Sequence, residues 1–136
     1  MATDQGGIES GRLAAGAQLG GYRIVEPVHE GGMALLYAVE PLAAEAATGP
    51  LLMKIPKLAF GSHPGCLVGF EVEQMILARL SGAHVPRLVA AGRTDGLPWL
   101  VMERIVGGCL RQAVARAPLP PEEVVRLLRA VAAAVH

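Results

Sequence analysis

The stretch LLMKIPKLAFGSHPGCLVGFEVEQMILARL, residues 51–80, decides the fold of this chain. It opens with a compact apolar run ended by Pro56, which predicts a strand that carries Lys54. The residues from Leu67 to Leu80 instead repeat their apolar members at helical spacing, so a helix follows the strand. Each element holds a charged residue among apolar neighbours, and a charge in that setting needs a partner.

The apolar face of the predicted helix includes a carboxylate. On a helical wheel at about 100° per residue, Glu73 falls inside the apolar arc, whereas Glu71 projects roughly opposite. An ammonium and a carboxylate at inward-facing positions are both costly to desolvate unless they pair, so Lys54 and Glu73 predict each other. The members of the arc are Phe70, Leu77 and Leu80, with Ile76 at its edge.

Two further strands are predicted upstream of this stretch. YRIVEPVH at residues 22–29 and ALLYAVE at residues 34–40 are rich in strand-forming residues. The turn between them contains Gly31 and Gly32, so the two runs predict a hairpin. A loop of small residues, 41–50, connects this hairpin to the strand that carries the lysine.

Two more strands are predicted downstream of the helix. RLVAAG at residues 87–92 and PWLVME at residues 98–103 are joined by a turn in which Asp95 and Gly96 tolerate positive φ. The pattern as a whole therefore predicts five antiparallel strands with one helix after the third. We expect Leu77 to pack against the fourth strand.

The end of the chain is predicted to be helical. A short helix, CLRQAVARA at residues 109–117, precedes a longer one that opens near Pro121, where two glutamates complement the positive end of the helix dipole. Apolar residues keep helical spacing up to His136 without a stop signal. We therefore expect the sequence to be cut inside an element.

Composition argues against several classes of function. Twelve Lys and Arg balance twelve Asp and Glu, so no net charge draws the protein toward nucleic acid or an anionic membrane. No apolar stretch has the length needed to cross a bilayer, and the N-terminus lacks the features of a signal peptide, so we expect a cytoplasmic protein. Cys66 and Cys109 lack the spacing of a zinc site or disulfide framework, which favours two reduced thiols.

Four segments resemble the N-terminal lobe of the eukaryotic-like serine/threonine protein kinases of bacteria. VHEGGMALLY at 28–37 resembles the glycine-rich loop of that family, and LLMK at 51–54 resembles its third-strand lysine motif. FEVEQMILARLSGAHVPRLVAAG at 70–92 resembles helix C and the following strand, and WLVMERIVGGCL at 99–110 resembles the fifth strand and the hinge.

The resemblance implies an α+β fold in which a five-stranded antiparallel sheet and helix C are followed by the hinge and the first helices of an incomplete C-lobe. The expected domains are a flexible leader at 1–18, a kinase N-lobe with the ATP-binding elements at 19–105, and the exit from the hinge into a truncated C-lobe at 106–136.

The resemblance also implies ATP as the ligand. Gly31 and Gly32 would let the loop backbone approach the phosphates and offer N–H groups to them. Lys54 would reach the α- and β-phosphates, held in place by Glu73. The residues implied for the adenine pocket and the hinge are Val28, Leu36, Leu52, the gatekeeper Met102, the Glu103 carbonyl and the Ile105 N–H.

Three positions depart from the family pattern. His29 stands where the first glycine of the loop is usual, and Ala34 stands where the third is usual. We expect a stiffer loop and an exposed His29 that is not a phosphate ligand. Leu52 replaces a small alanine and is expected to crowd the adenine pocket.

The catalytic loop and the metal-binding DFG aspartate of the family have no counterpart within this sequence. No catalytic residue is therefore assigned, and the chain alone is expected to be inactive. Mg²⁺ and a protein substrate are expected only with the missing C-lobe.

Three functions remain open from the residues. The first is the ATP-binding portion of an active serine/threonine protein kinase, a transferase that phosphorylates protein hydroxyls. The second is a pseudokinase or nucleotide-independent binding module, which the departures at His29, Ala34 and Leu52 suggest. The third is a small-molecule phosphotransferase, because such enzymes share this lobe architecture.

Overall fold

The computed structural model of the chain describes residues 12–43, 49–57 and 64–135. The chain divides into two compact units, and the division falls between Arg104 and Ile105. The described elements of the first unit are β1 (Gln18–Leu19), β2 (Tyr22–Glu30), β3 (Ala34–Pro41), β4 (Leu51–Pro56), α1 (Pro64–Leu77), β5 (Leu88–Thr94) and β6 (Leu97–Glu103).

The strands of the first unit form one antiparallel sheet in the order β1-β2-β3-β4-β6-β5. The five predicted strands are all present, and the α+β fold with one helix after the lysine strand is confirmed. The additional strand, β1, pairs Leu19 with Tyr22 across a turn of two glycines, Gly20 and Gly21, that both have positive φ. Positive φ is the conformation in which glycine has no steric penalty.

One face of the sheet carries the larger apolar core. Tyr37, Met53 and Val101 pair in one row across three strands and are at most 2% exposed. The single tryptophan, Trp99, closes this core, and its indole N–H donates to the Thr94 hydroxyl at 3.0 Å. The other fully or nearly buried members are Leu19, Tyr22, Ile24, Leu35, Val39, Leu51 and Ile55.

The opposite face of the sheet carries α1. Successive side chains of a strand alternate between faces, so Leu100 lies on the side opposite its neighbours Trp99 and Val101. Leu100 and Met102 form a buried cluster with Phe70 of the helix. The partly buried residues that pack on this cluster are Leu52, Leu77 and Leu88, the last of which lies on β5, the predicted fourth strand.

The helix α1 lies three residues earlier than predicted at both ends. It begins at Pro64 and ends at Leu77, because tighter bonds such as Arg79 N–H to Ile76 C=O close its last turn. Leu80 therefore lies beyond the helix and is 49% exposed, and Ile76 is 50% exposed. The prediction that these two residues complete the apolar face is wrong.

The second unit contains two described helices, α2 (Leu110–Ala115) and α3 (Pro121–Val135). The Gln112 side chain accepts a hydrogen bond from the Cys109 N–H at 3.0 Å, which satisfies a backbone donor at the start of α2. Cys109 is exposed and its thiol is free.

The longer helix of this unit starts as predicted, with two glutamates in its first turn. No residue of α3 is buried, and the exposed apolar members of the helix are Val124, Val125, Leu128, Val131 and Val135. In the part of the chain that the structure describes, no helix has the length and apolar character needed to cross a bilayer.

Candidate functional site

Lys54 and Glu73 form an ion pair on the helix-bearing face of the sheet. The lysine Nζ lies 2.6 Å from both carboxylate oxygens. Lys54 lies on β4, where it pairs with Leu36 of β3 on one side and with Leu100 of β6 on the other. The helix supplies the glutamate one turn after Phe70, whose buried ring fixes the helix against the sheet.

The burial of this pair is partial. The lysine side chain is 23% exposed and that of the glutamate is 39% exposed. Both side chains therefore keep some contact with water, and the pair is not enclosed in the apolar core. The arrangement suits a lysine that is held by a carboxylate and presents its remaining charge to an anion.

The second carboxylate of the helix also has a partner. Glu71 accepts a hydrogen bond from the Arg93 guanidinium of β5, with an N–O distance of 2.5 Å. Helical spacing separates Glu71 from Glu73, but it does not indicate Arg93 as a partner. No local pattern could have found it, because the contact depends on which strand borders the helix.

The glycine turn between β2 and β3 is open on its outer side. A Cβ built on Gly32 meets no atom within 4 Å, and a Cβ on Gly31 meets only the Ala34 carbonyl at 3.4 Å. Neither glycine has the positive φ that would itself demand glycine. The fold therefore does not explain the residue type at Gly32, and close approach of a ligand to the backbone is a physical reason for it.

The tip of this hairpin is tied to the end of β4. The Lys57 N–H donates to the Met33 carbonyl at 2.8 Å, and the Lys57 ammonium lies 2.6 Å from the Glu30 carboxylate. Arg12 pairs with the same carboxylate. The hydrogen bond from Lys57, aided by the charge of Arg12, holds the pKa of Glu30 below its ordinary value.

Three of the positions implied for adenine share a face with the lysine. Leu36 pairs directly with Lys54, and Leu52 pairs with Met102, one row further along the same face. Met102 is buried, and Leu52 is partly buried where it packs on the cluster of Phe70, Leu100 and Met102. Paired residues of an antiparallel sheet project from the same side, so these side chains form a continuous apolar surface beside the ammonium.

The remaining implied positions are Val28, Glu103 and Ile105. Val28 is 39% exposed in an irregular stretch of β2, next to the exposed His29, which pairs with Leu36. Glu103 ends β6, and its N–H donates to the Arg87 carbonyl at 2.9 Å. Ile105 is the first residue of the second unit, so the structure does not relate it to the sheet.

The described residues contain no group of three or more His, Cys, Asp or Glu side chains that could hold a metal ion. The groups at the site are instead one ammonium, one carboxylate and the backbone of the glycine turn, in which the Gly31 N–H donates to the Ala34 carbonyl at 2.9 Å. Such a set suits an anion and offers a metal ion few ligands of its own.

Comparisons with known proteins agree with this architecture. No protein-family model matches the chain. Serine/threonine-protein kinase PknL of Mycobacterium tuberculosis is 34% identical over 83 residues, which are 60% of this chain and 21% of that protein. PknL of Mycobacterium bovis matches to the same extent.

The solved kinase domain of PknI from Mycobacterium tuberculosis has a similar structure. It superposes with a TM-score of 0.69 at 27% identity, over 90% of this chain and 50% of that domain. The chain thus spans about half of that solved domain and 21% of the curated relatives. It is homologous to bacterial serine/threonine protein kinases, and its fold is that of a protein kinase N-lobe.

Proposed function

We propose that this chain is the ATP-binding portion of a serine/threonine protein kinase and that it does not transfer phosphate by itself. One observation carries the proposal. Lys54 is held by Glu73 on the helix-bearing face of the sheet, its side chain is partly exposed, and the glycine turn leaves open space around Gly32. This is the arrangement by which a protein kinase N-lobe binds the phosphates of ATP.

The phosphates are assigned to the polar part of the site. Lys54 contacts the α- and β-phosphates as a point charge, and Glu73 keeps its side chain from swinging into solvent. The Gly31 N–H already donates to the Ala34 carbonyl at 2.9 Å, so Gly31 contributes close approach of the backbone, and the N–H assigned to the phosphate oxygens is that of Gly32. In this proposal the loop contributes position and hydrogen bonds, while the charge comes from the lysine.

The adenine ring is assigned to the apolar part of the site. Leu36 and Leu52 flank the ring, with Val28 at the mouth and Met102 behind it. The Glu103 carbonyl and the Ile105 N–H receive the polar edge of the ring, so their side chains do not determine the contact. For Ile105 this assignment rests on its position in the sequence alone.

Phosphoryl transfer requires groups that this sequence does not supply. Its aspartates are Asp4 and Asp95. Asp95 has a φ of 50° in the β5–β6 turn, a conformation typical of a turn residue. When bound, Mg²⁺ neutralises phosphate charge, and we expect it, like the protein substrate, only together with a C-lobe.

The experiment that tests the proposal is thermal unfolding of the 136-residue chain at rising ATP concentration. A ligand present at 100 times its Kd stabilises the native state by about 2.7 kcal/mol, which raises Tm by several degrees. We expect this rise in the wild type and its loss in Lys54→Met. Arg23→Gln, which removes an exposed cation on β2, two strands away from the lysine strand β4, serves as the matched control and should keep the rise.

A nucleotide-independent binding module is the alternative that a specific observation favours. Leu52 fills part of the sheet face by packing on the Phe70 cluster, and this reduces the room for adenine. If ATP leaves the Tm of the folded wild type unchanged, the alternative replaces the proposed function. If ATP raises Tm equally in the wild type and in Lys54→Met, the phosphate role of Lys54 is wrong.

A further inference from the structure

The helix α1 is attached to the sheet by few apolar side chains. Among its described residues, only Phe70 and Leu77 pack in the cluster with Leu100 and Met102. Several of its other apolar residues are about half exposed or more, namely Val68, Val72, Met75 and Ile76. Two side chains on nearly one line resist sliding of a helix, but they only weakly resist its rotation about its own axis.

Two ion pairs flank that line of contact. At about 100° per residue, Leu77 lies within about 20° of Phe70 around the helix. Glu73 then lies about 60° to one side of Phe70, and Glu71 lies about 100° to the other side. Rotation in either direction therefore pulls one carboxylate away from its cation.

The two cations come from the same face of the sheet. Leu100 of β6 pairs with Lys54 on one side and with Ala91 on the other. Arg93 lies two residues after Ala91, so it projects from that same face. The helix is thus held between a lysine on β4 and an arginine on β5, with β6 beneath it.

We propose that Arg93 is a positioning residue for the Lys54–Glu73 pair. By holding Glu71 on one side of the helix, it fixes the rotation at which Glu73 meets the lysine on the other side. The consequence for ATP rests on the proposed function, because an unpaired Lys54 would no longer be aimed at the phosphates. The pairing itself does not depend on ATP.

The exposure of the Arg93–Glu71 pair separates a positioning role of Arg93 from a contribution to the stability of the fold. Arg93 and Glu71 are 54% and 51% exposed, and exposed ion pairs contribute little to stability. Removal of Arg93 should therefore barely shift the midpoint of unfolding. It should nevertheless weaken the coupling between Lys54 and Glu73.

The reactivity of the Lys54 amine toward an acylating reagent measures the pairing directly. The chain has two lysines, so Lys57 provides an internal reference in the same sample. We expect Arg93→Gln to raise the labelling rate of Lys54 relative to Lys57 by about threefold, the size of effect that corresponds to an exposed ion pair. Glu71→Gln should give the same rise.

Conservative and control variants separate charge from packing. Arg93→Lys keeps the positive charge, so the labelling rate of Lys54 should stay at the wild-type value. The charge reversal that combines Glu71→Arg with Arg93→Glu should keep it there as well. Arg23→Gln should leave the rate unchanged.

A double-mutant cycle gives an independent readout. The coupling between Lys54→Met and Glu73→Gln, taken from the free energies of unfolding, should fall by more than half in the Arg93→Gln background. An unchanged labelling rate together with an unchanged coupling overturns the inference. If Arg93→Gln raises the labelling rate of Lys54 but ATP does not raise the Tm of the wild type, the inference stands and the proposed function fails.

Discussion

At the scale of single residues, Glu30 shows how neighbouring charges set the state of the hairpin tip. Its carboxylate lies between Lys57 at the end of β4 and Arg12 from the N-terminal segment. Both cations favour the ionised form of the carboxyl group and so lower its pKa. The glycine turn that follows Glu30 is therefore joined to the lysine strand by charge as well as by backbone hydrogen bonds.

This arrangement predicts that the pKa of Glu30 depends on Lys57. Lys57→Met should raise the pKa of Glu30 toward its ordinary value, because it removes the hydrogen bond that lowers the pKa most. The pairing stabilises the fold above the pKa of the unfolded state, and that contribution is lost as pH falls through the folded pKa. Carbon-13 chemical shifts of the carboxyl group measured against pH would report the value in both proteins.

Two results decide this prediction. Arg23→Gln, a change on the exposed side of β2, should leave the Glu30 titration where it is in the wild type. An identical Glu30 titration in the wild type and in Lys57→Met would show that the pair does not form in solution.

At the scale of elements, Trp99 joins two parts of the sheet that are distant in sequence. Its indole lies against Gly20 in the β1–β2 turn and against Gly92 of β5. A Cβ on Gly92 would come within 2.6 Å of the ring, and a Cβ on Gly20 would also overlap it. The ring therefore needs glycine on both sides, and Tyr22 meets it edge-on at 6.1 Å.

The contact predicts a loss of stability on adding a single methyl group. Gly92→Ala should lower the free energy of unfolding by about 1–3 kcal/mol, because the buried indole must move out of a packed core. Denaturant unfolding followed by tryptophan fluorescence would measure it, since Trp99 is the only tryptophan. Gly20→Ala should cost more, because Gly20 also has a φ of 59°.

The matched control lies in the glycine turn. Gly32 has open space around its missing Cβ and no positive φ, so Gly32→Ala should leave stability within about 0.5 kcal/mol of the wild type. Equal losses in Gly92→Ala and Gly32→Ala would mean that contact with the indole is not the cause.

At the scale of the whole molecule, the exposed apolar surface of α3 bears on behaviour in solution. The helix has no buried residue, and its apolar side chains recur along its length. An apolar surface of this kind promotes association or binding to apolar partners. We therefore expect the 136-residue chain to bind a hydrophobic dye and to self-associate.

A single polar substitution should reduce this behaviour. Leu128 is 63% exposed, and Leu128→Glu should lower dye fluorescence and shift the chain toward monomer in sedimentation experiments. Arg129→Gln, next to it on the same helix, is the control and should change neither. A wild-type chain that sediments as a monomer and does not bind the dye contradicts the expectation.

Most of the fold follows from local pattern. Strand-forming runs predict five of the six strands that the structure describes, and helical spacing predicts α1 and α3. No sequence pattern predicts β1, because it has only two residues, Gln18 and Leu19, in a segment rich in small residues. A strand of two residues is too short to show the alternation of apolar and polar residues by which strands are predicted.

The sequence by itself determined that Lys54 and Glu73 would meet, because the cost of leaving either charge alone is a property of the residues and their immediate neighbours. The tertiary structure alone decided that Arg93 holds Glu71, that Lys57 and Arg12 share Glu30, and that Leu80 is exposed. These outcomes depend on strand order and on where the helix ends. Both are set by packing between segments far apart in the chain, which no local pattern encodes.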